Sequence, residues 1–354
     1  MTSDSIRAVV VDDSAFMRIA IRQMLEADGI SVVGEGRDGE EAIDLARRIR
    51  PDIMTLDIIM PGMDGLAALK TIAADQLCPV IMVSTETREG ARATIRALDL
   101  GAVDIVAKGS DLADLDMAWI QKELAAKVRH WVTQGPPPRR KPAQPEKAIA
   151  PARSCATHEQ TDLVIVAAST GGPRALTEFV TGLEPGGPPI VIAQHMPSGF
   201  THDFATHLAT RSGREVVEAE SGMILRDGAI VVLPGGTDSK IVTDTSGAMA
   251  IMHAVTADQP VHPWADLVLK TALTCAKHPV AVILTGMGQD GAEGARAFAD
   301  KGHPVLVQSP ETCVVDGMPR AAIDNGAASD VLTIGGIVRR LSAFSAAQEK
   351  AVSP

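Results

Sequence analysis

Residues 163–173 read LVIVAASTGGP, and this stretch decides the fold of its half of the chain. It begins with an apolar run, as expected of a parallel strand that helices cover on both faces. Small residues and two glycines then permit a tight turn, and Pro173 suits the first turn of a helix. The stretch therefore predicts a strand, a turn and a helix, which is the repeating unit of an α/β sheet.

The same unit recurs on both sides of this stretch. Further apolar runs in the second half of the chain lie at residues 190–193, 229–233, 280–284 and 304–307. Those in the first half lie at residues 6–11, 30–33, 52–56, 79–83 and 103–106. Amphipathic helical patterns separate the runs. We therefore predict an α/β protein with two doubly wound domains, each built on a mainly parallel sheet.

A change of composition separates the two patterns. Residues 135–154 hold six prolines, five Lys or Arg and one Glu, with almost no large apolar side chains. Such a segment cannot bury a core, so we predict a Pro-rich interdomain linker over residues 133–159. A contact of this basic segment with an acidic partner is the alternative. The predicted domains are residues 1–132 and 160–345, and residues 346–354 are predicted to form a flexible tail.

The amino-acid composition argues against several classes of function. The 354 residues carry 33 basic and 44 acidic side chains, a net charge of −11, which argues against a general nucleic-acid-binding surface. Residues 155–354 alone hold 13 basic and 21 acidic side chains, or −8, with no basic recognition helix, so a DNA-binding regulator is disfavoured. Tyrosine is absent, which excludes mechanisms that need a phenolic group.

The cysteine spacing and the hydropathy of the chain indicate the cellular compartment in which the protein is expected. The four cysteines form no C-x-x-C pair, so the common zinc spacings and a disulfide framework are not expected. The N-terminus lacks the apolar core of a secretory signal, and no run reaches the 18 or so apolar residues that span a bilayer. We expect a cytoplasmic protein without membrane insertion.

Polar side chains follow all but one of the predicted strands of the first half. They are Asp12, Asp13, Asp57, Ser84 and Lys108. Because parallel strands end at one edge of a sheet, these side chains are expected to share a pocket. Three close carboxylates repel one another unless a cation relieves them, and an oxygen-rich site suits Mg²⁺. The alternative for a single aspartate is a helix cap.

These residues resemble a known family. The Asp12-Asp13 pair, Asp57 followed by MPGMDG at residues 60–65, Ser84 and Lys108 are similar to the response-regulator receiver domain, over residues 5–130. The resemblance implies a flavodoxin-like fold, phosphorylation of Asp57 by a sensor histidine kinase, and Mg²⁺ held by Asp12, Asp13 and Asp57. It also implies that Ser84 and Lys108 sense the phosphoryl oxygens.

Two positions depart from the receiver pattern. The aromatic switch residue of many receivers is replaced by Ile105, and the proline that usually follows the lysine is replaced by Gly109. A switch by aromatic rotation is therefore excluded. A cis bond before a residue other than proline costs about 3 kcal/mol, so the loop after Lys108 is expected to be trans or strained.

Three residues of the second half also follow predicted strands. They are Ser169, His195 and Asp290. A serine nucleophile needs a base, and the base needs a partner that fixes its tautomer, so the set fits a Ser-His-Asp triad. Amides at the following helix start, or in the glycine-rich loop 285–288, are candidates for an oxyanion hole. Taken singly, the three also fit a helix cap, an ordinary polar residue and a turn former, and the Ser-Thr-Gly-Gly turn also fits a phosphate cradle.

Four segments together resemble the bacterial chemotaxis protein-glutamate methylesterase family. They are ASTGGP at 168–173, QHMP at 194–197, LTGMGQDG at 284–291 and CVVDGMP at 313–319. The resemblance covers residues 162–340 and implies a Rossmann-like hydrolase fold. It implies Ser169 as nucleophile, His195 as general base and acid, Asp290 as orienter, and Thr170 and Met287 shaping the site. Ala168 replaces the usual glycine, and residues 316–319 are expected to be structural.

The two resemblances together imply a function. It is a phosphorylation-activated esterase that hydrolyses glutamate γ-methyl esters on chemoreceptors, releases methanol and also deamidates receptor glutamines. The implied cofactor is Mg²⁺ for receiver phosphorylation, with none for hydrolysis, and the chain is expected to be a monomer. The competing hypothesis is a non-catalytic regulator whose second domain only binds receptor or kinase.

Overall fold

The computed structural model describes residues 5–85, 88–108, 117–134, 161–255 and 261–351. The chain divides into two compact units, Met1–Ala143 and Gln144–Pro354. The predicted linker falls almost entirely on residues 135–160, which lie outside the described residues, as does Gly109.

The first unit is built on five parallel strands. They are β1 Arg7–Val11, β2 Ser31–Gly36, β3 Ile53–Asp57, β4 Val80–Thr85 and β5 Asp104–Lys108. The strand order is β2-β1-β3-β4-β5, with every pair parallel, which confirms the predicted sheet type. The last three strands run one or two residues beyond the predicted apolar runs. Asp57 and Lys108 therefore end their strands, and Ser84 lies within β4.

A helix follows each strand of this sheet. The helices are α1 Ala15–Ala27, α2 Gly39–Ile49, α3 Gly65–Ala74, α4 Arg88–Leu100 and α5 Met117–Gln134. The first three begin where a side chain caps them: Ser14, Asp38 and Asp64 each accept the N–H of the residue three further on. These caps place the helix starts at the edge where the acidic side chains gather.

The described residues of the second unit form nine strands. They are β6 Leu163–Ala168, β7 Ile190–Gln194, β8 Val216–Glu218, β9 Ile230–Val232, β10 Asp238–Thr243, β11 Met249–Ala254, β12 Pro279–Ile283, β13 Val305–Gln308 and β14 Asp330–Leu332. Seven form a parallel sheet in the order β14-β13-β12-β6-β7-β9-β8. The mainly parallel sheet agrees with the prediction, while β10 and β11 form a separate antiparallel ribbon that the apolar runs did not indicate.

Where the structure describes this unit, it has six α-helices. They are α6 Gly172–Gly182, α7 Thr201–Ser212, α8 Ala265–Cys275, α9 Ala292–Asp300, α10 Gly317–Asp324 and α11 Ile334–Ala351. Helix α11 extends into the segment that was predicted to be a flexible tail, since residues 346–351 are helical. Within the described ranges, no helix combines the length and the apolarity that a bilayer crossing requires.

The central strands of the second unit are part of its buried core. The side chains of β6 and β12 are fully buried along their length, and Phe298 of α9 packs with them. Both strands are central in the sheet, so the loops that follow them start from a fixed base. The residues of interest lie in those loops, at the carboxyl ends of the strands.

Candidate functional site

Ser169 and His195 follow neighbouring strands at the same level. Ala168, the last residue of β6, is the register partner of Gln194, the last residue of β7. The His195 N–H donates to the Ala168 carbonyl at 3.0 Å, which continues the ladder to the edge. The candidate nucleophile and base therefore leave adjacent strands side by side.

The turn after β6 has no space for larger residues. Gly171 is the N-cap of α6 with a φ of 76°, and a Cβ there would lie 2.4 Å from the Cβ of Val314. The left-handed backbone conformation favours glycine, and the close approach of Val314 requires it. Ser169 is thus not the helix cap, and its half-buried side chain is not used to begin α6.

His195 and Asp290 form a hydrogen-bonded pair. His195 Nε2 lies 2.8 Å from Asp290 Oδ2, and both side chains are about nine-tenths buried. Since a carboxylate only accepts, Nε2 carries the proton and the Nδ1 lone pair of the neutral ring is the basic site. In the residues that the structure describes, no hydrogen bond joins the Ser169 hydroxyl to this ring, a contact that often forms only with substrate.

Asp290 is held by backbone amides as well as by histidine. Its Oδ2 also accepts the N–H of Ala265 at 2.8 Å, and its Oδ1 accepts those of Asp266 at 3.0 Å and Gly291 at 2.8 Å. Burial raises the pKa of Asp290, but the hydrogen bond and charge of His195 and the two α8 amides outweigh it. The net result is a pKa below the ordinary value, so the group stays ionised at neutral pH.

The acidic residues of the first unit also converge. Single carboxylate oxygens of Asp12, Asp13 and Asp57 lie within 4.8 Å of one another, with Asp12 and Asp57 buried and Asp13 exposed. Asp12 Oδ1 accepts the Ser14 N–H at 2.9 Å, and Asp57 Oδ1 accepts the Ile58 N–H at 2.7 Å. Three oxygen donors with this spacing and negative charge fit a hard divalent cation such as Mg²⁺.

For the other two predicted receiver residues, Ser84 and Lys108, the structure describes only the backbone. Ser84 lies in β4, which is next to β3 in the strand order, and Lys108 ends β5, which is next to β4. Ile105 is half-buried in β5 and packs against the core. Its carbonyl accepts a hydrogen bond from Lys127 of α5 at 2.5 Å, so this position is tied to the last helix of the unit.

Comparison with known proteins assigns both units. The model of the CheB methylesterase family matches residues 164–341, and the response regulator receiver domain model matches residues 8–119. A protein-glutamate methylesterase/protein-glutamine glutaminase of Oleidesulfovibrio alaskensis is 41% identical, covering 93% of this chain and 96% of that protein. The chain belongs to the protein-glutamate methylesterase/protein-glutamine glutaminase family. The family predicted from the sequence is thereby confirmed.

A second relative gives the same match. The Symbiobacterium thermophilum protein of the same name is 41% identical, covering 94% of this chain and 95% of that protein. The crystal structure of the Thermotoga maritima CheB methylesterase catalytic domain is 35% identical, covering 51% of this chain and 97% of that chain, with a TM-score of 0.49.

Thr285 joins three segments of this methylesterase-family site, although its place in the motif at residues 284–291 predicts no role for its own side chain. Its fully buried hydroxyl donates to the Thr170 or Val315 carbonyl, each at 3.0 Å, and accepts the Val315 N–H at 2.9 Å. Its carbonyl accepts the Ser169 N–H at 3.0 Å. A threonine in a Gly-rich loop gives no sequence signal for such a role, because its partners are over 100 residues away or 30 residues ahead.

Gln194 is a second residue that sequence reasoning missed. Its buried side-chain amide donates to the carbonyls of Ser169 at 3.0 Å and His195 at 2.9 Å. The close approach leaves no room at Gly172, where a Cβ would lie 1.9 Å from Gln194 Oε1. A polar residue that ends an otherwise apolar strand is the signal that marks it.

The segment at residues 316–319 has the structural role that was expected of it. The Gly286 N–H donates to the Val315 carbonyl, and the Met318 N–H donates to the Gly286 carbonyl, both at 2.9 Å. The buried Met318 sulfur fills the space beside Gly286, where a Cβ would lie 2.2 Å from it. These contacts fix the loop that carries the half-buried Met287 next to the buried Thr170 segment.

Other candidate nucleophiles and ligands near this edge are weaker. Burial and the charge of Asp316 raise the pKa of the Cys313 thiol to about 12, so a thiolate is scarce at neutral pH. His202 is exposed beside Glu218, whereas His207 is half-buried and stacks on Phe204. His202 thus lies at the surface, while His207 Nε2 also lies 3.4 Å from the Thr177 hydroxyl of α6.

Proposed function

We propose that this chain is a phosphorylation-activated methylesterase that hydrolyses glutamate γ-methyl esters on chemoreceptors, with Ser169, His195 and Asp290 as its triad. The observation that carries the proposal is the His195–Asp290 pair beside Ser169, with Asp290 kept anionic by His195 and by the backbone amides of Ala265 and Asp266. The names of the relatives support the same activity. The substrate sites lie on the cytoplasmic part of the receptors, so the reaction is proposed for that compartment.

The proposed acylation step uses the lone pair at Nδ1 of His195. Ser169 Oγ attacks the ester carbonyl carbon while its proton passes to this nitrogen, and Asp290 stabilises the resulting imidazolium. The tetrahedral intermediate expels methoxide, which takes the proton from His195 and leaves as methanol. Water then attacks the acyl-enzyme with His195 again accepting the proton, and the serine is restored as the glutamate departs.

The developing oxyanion needs donors close to the serine. We assign this role to backbone amides of the Thr170 turn and of the loop with Met287. Thr170 follows the nucleophile at the start of α6, and the Gly286 backbone is fixed by Val315 and Met318. Amides held in this way stabilise charge without reorganising during the reaction. The same acyl chemistry deamidates a receptor glutamine, with ammonia in place of methanol.

The receiver unit is proposed to accept a phosphoryl group on Asp57 from a sensor histidine kinase. Asp12, Asp13 and Asp57 would hold Mg²⁺, which supplies the positive charge that neutralises the carboxylates and phosphoryl oxygens when it is bound. Ser84 and Lys108 are proposed to bind the phosphoryl oxygens after transfer. With Ile105 in place of an aromatic residue, the response is proposed to pass through the backbone of β5 and Lys127.

Methanol release from methylated receptor tests the proposal. Purified full-length chain should release methanol, and Ser169→Ala should lower the rate by at least about 10³-fold because the nucleophile is lost. Ser246→Ala is the matched control, since this exposed serine lies in the β10–β11 turn and bonds only its own turn. Undiminished release by Ser169→Ala would contradict the triad.

The phosphodonor arm tests control and the competing hypothesis. Addition of a phosphodonor with Mg²⁺ should raise the rate of methanol release by the wild type. The rate of the Asp57→Asn variant should not change. A non-catalytic regulator would release no methanol under either condition, while its affinity for receptor or kinase would still respond to phosphorylation.

A further inference from the structure

Gln194 ends strand β7 with a polar side chain that is buried next to the proposed triad. The residue is 1% exposed, and its Nε2 donates to the Ser169 carbonyl at 3.0 Å and to the His195 carbonyl at 2.9 Å. The two protons of this amide group are thus used on the backbones of two triad residues. Reversing the amide would place Oε1 against the same two carbonyl oxygens, so these contacts set its orientation.

The oxygen of the same amide lacks a donor. Within the described residues, the buried Gln194 Oε1 has no hydrogen-bond partner. It lies against Gly172, where a Cβ would be 1.9 Å from it. A buried acceptor without a donor costs free energy that an apolar side chain of similar length would avoid. A glutamine at this position is therefore expected to serve through its two donated hydrogen bonds.

The bond to the Ser169 carbonyl fixes a whole peptide unit. The Ser169 oxygen and the Thr170 N–H belong to one planar peptide, which is trans, so they point in opposite directions. The Ser169 oxygen accepts the Gly172 N–H at 2.8 Å in addition to the Gln194 amide. Because this peptide cannot rotate without breaking both bonds, the direction of the Thr170 N–H is set.

The Thr170 N–H that this peptide presents is available as a donor. Thr170 is 5% exposed, and no acceptor for its N–H lies in the part of the chain that the structure describes. A donor directly after the proposed nucleophile suits the developing oxyanion. The hydrogen bonds to the Ser169 carbonyl also polarise the peptide, which makes the Thr170 N–H a stronger donor.

We propose that Gln194 is a positioning residue that aims the Thr170 N–H at the oxyanion and ties this peptide to the backbone of His195. The inference rests on the proposed function, because it explains how the oxyanion donor of that reaction is held. One side chain then serves both the oxyanion donor and the base. The charge that the Thr170 N–H binds develops only in the transition state, so Gln194 should affect kcat and leave KM nearly unchanged.

Gln194→Glu tests this role, since it keeps the length of the side chain and removes the donor. At pH 8 a carboxylate would face two carbonyl oxygens, and kcat for methanol release should fall by about 10- to 100-fold, with KM within about twofold of the wild type. These surroundings raise the pKa of the introduced carboxyl, and its protonated form donates one bond again. The ratio of variant to wild-type kcat should therefore rise by roughly threefold or more between pH 8 and pH 6. A loss of packing alone would not produce this rise.

Gln308→Glu is the matched control, because Gln308 also ends a strand of this sheet and is also 1% exposed. Its Nε2 donates to the Thr312 carbonyl at 3.0 Å, and its Oε1 accepts the Thr285 N–H at 2.9 Å, a bond that a carboxylate keeps. The control should lose less than about threefold in kcat, because its lost donor bond ends on Thr312 and not on a triad residue. Equal losses in the two variants would overturn the proposal.

A second variant displaces the same amide without replacing Gln194. Gly172 is the first residue of α6 and has no positive φ, so its backbone accepts alanine. The added Cβ of Gly172→Ala would lie 1.9 Å from Gln194 Oε1 and push the amide away, which should lower kcat by about tenfold or more. In the double variant with Gln194→Glu the loss should be smaller than the product of the two single losses, since both act through one amide. Multiplicative losses, or an unchanged kcat in both single variants, would overturn the proposal.

A measurement on the wild type covers the case in which the variants do not fold. In NMR of the full chain, both Nε2 protons of Gln194 should exchange with solvent at least about 100-fold more slowly than those of the exposed Gln76, because they are buried and bonded. Fast exchange would overturn the proposal.

The two proposals fail in different ways. Ser169-dependent methanol release with an unchanged kcat in Gln194→Glu and Gly172→Ala refutes the role of Gln194 alone. A wild type that releases no methanol refutes the esterase, and with it the catalytic meaning of Gln194, even where slow exchange confirms the two hydrogen bonds.

Discussion

The receiver pocket and the hydrolase edge both place aspartates at the carboxyl ends of parallel strands, but they neutralise the charge differently. Asp12, Asp13 and Asp57 bring three carboxylates within 4.8 Å. Asp290 instead accepts four hydrogen bonds, from His195 and three backbone amides. The first arrangement is proposed to bind a cation, whereas the second is satisfied by hydrogen bonds within the fold. Position in the sheet therefore locates a site, and the donors around it determine its chemistry.

The largest expected effect comes from replacing Asp290. Asp290→Asn keeps the shape of the side chain but removes the charge that stabilises the imidazolium and selects its tautomer. Methanol release should fall by about 10³- to 10⁴-fold. Asp300→Asn, at the exposed end of α9, is the control and should change the rate by less than twofold. A comparable loss in both variants would mean that the hydrogen-bonded pair is not the source of the activity.

The second prediction concerns the cation that the receiver pocket needs. Asp13→Asn removes one of three carboxylates and should weaken Mg²⁺ binding by roughly 10- to 100-fold, measured by calorimetric titration of the full chain. Asp52→Asn is the matched control. Asp52 lies just before the first residue of β3, at the end opposite Asp57, and accepts the Arg7 N–H. If the two variants bound Mg²⁺ equally well, the acidic cluster would not be the cation site.

The smallest effect tests whether the hydrolase edge is completed by the fold. Thr285→Val leaves the Val315 N–H and the Thr170 and Val315 carbonyls short of a buried partner, at a cost of about 1–3 kcal/mol. Native-state hydrogen exchange of the buried β12 amides should report that loss. The same change at the exposed Thr274 of α8 should cost less than about 0.5 kcal/mol. If the β12 amides exchanged at equal rates in the two variants, Thr285 would not be a structural link.

Much of the fold could be predicted because helices cover both faces of these sheets. Runs such as residues 163–168 are continuously apolar, and their ends locate the polar edge to within two residues. The β10–β11 ribbon did not follow from this rule, because its strands pair antiparallel outside the main sheet and mix buried, half-buried and exposed residues. Helix α11 was missed where its sequence turns polar beyond Phe344.

The site was predictable only in part for a similar reason. Ser169, His195 and Asp290 stand directly after strands or in the loop that follows one, where sequence reasoning looks for function. The residues that hold them, Thr285 and Gln194, act through contacts to distant backbone, which no local pattern encodes.

The hydroxyl of Thr285 has a consequence for engineering this enzyme. Because one side chain serves the turn at Thr170, the loop after β12 and the segment at Val315 that precedes α10, these three segments should be exchanged together as one unit. Grafting any one of them from a relative would introduce a loop whose length and backbone path were selected against different neighbours. Recombination between members of the family should therefore succeed when crossovers leave residues 168–172, 284–291 and 313–318 together from one parent.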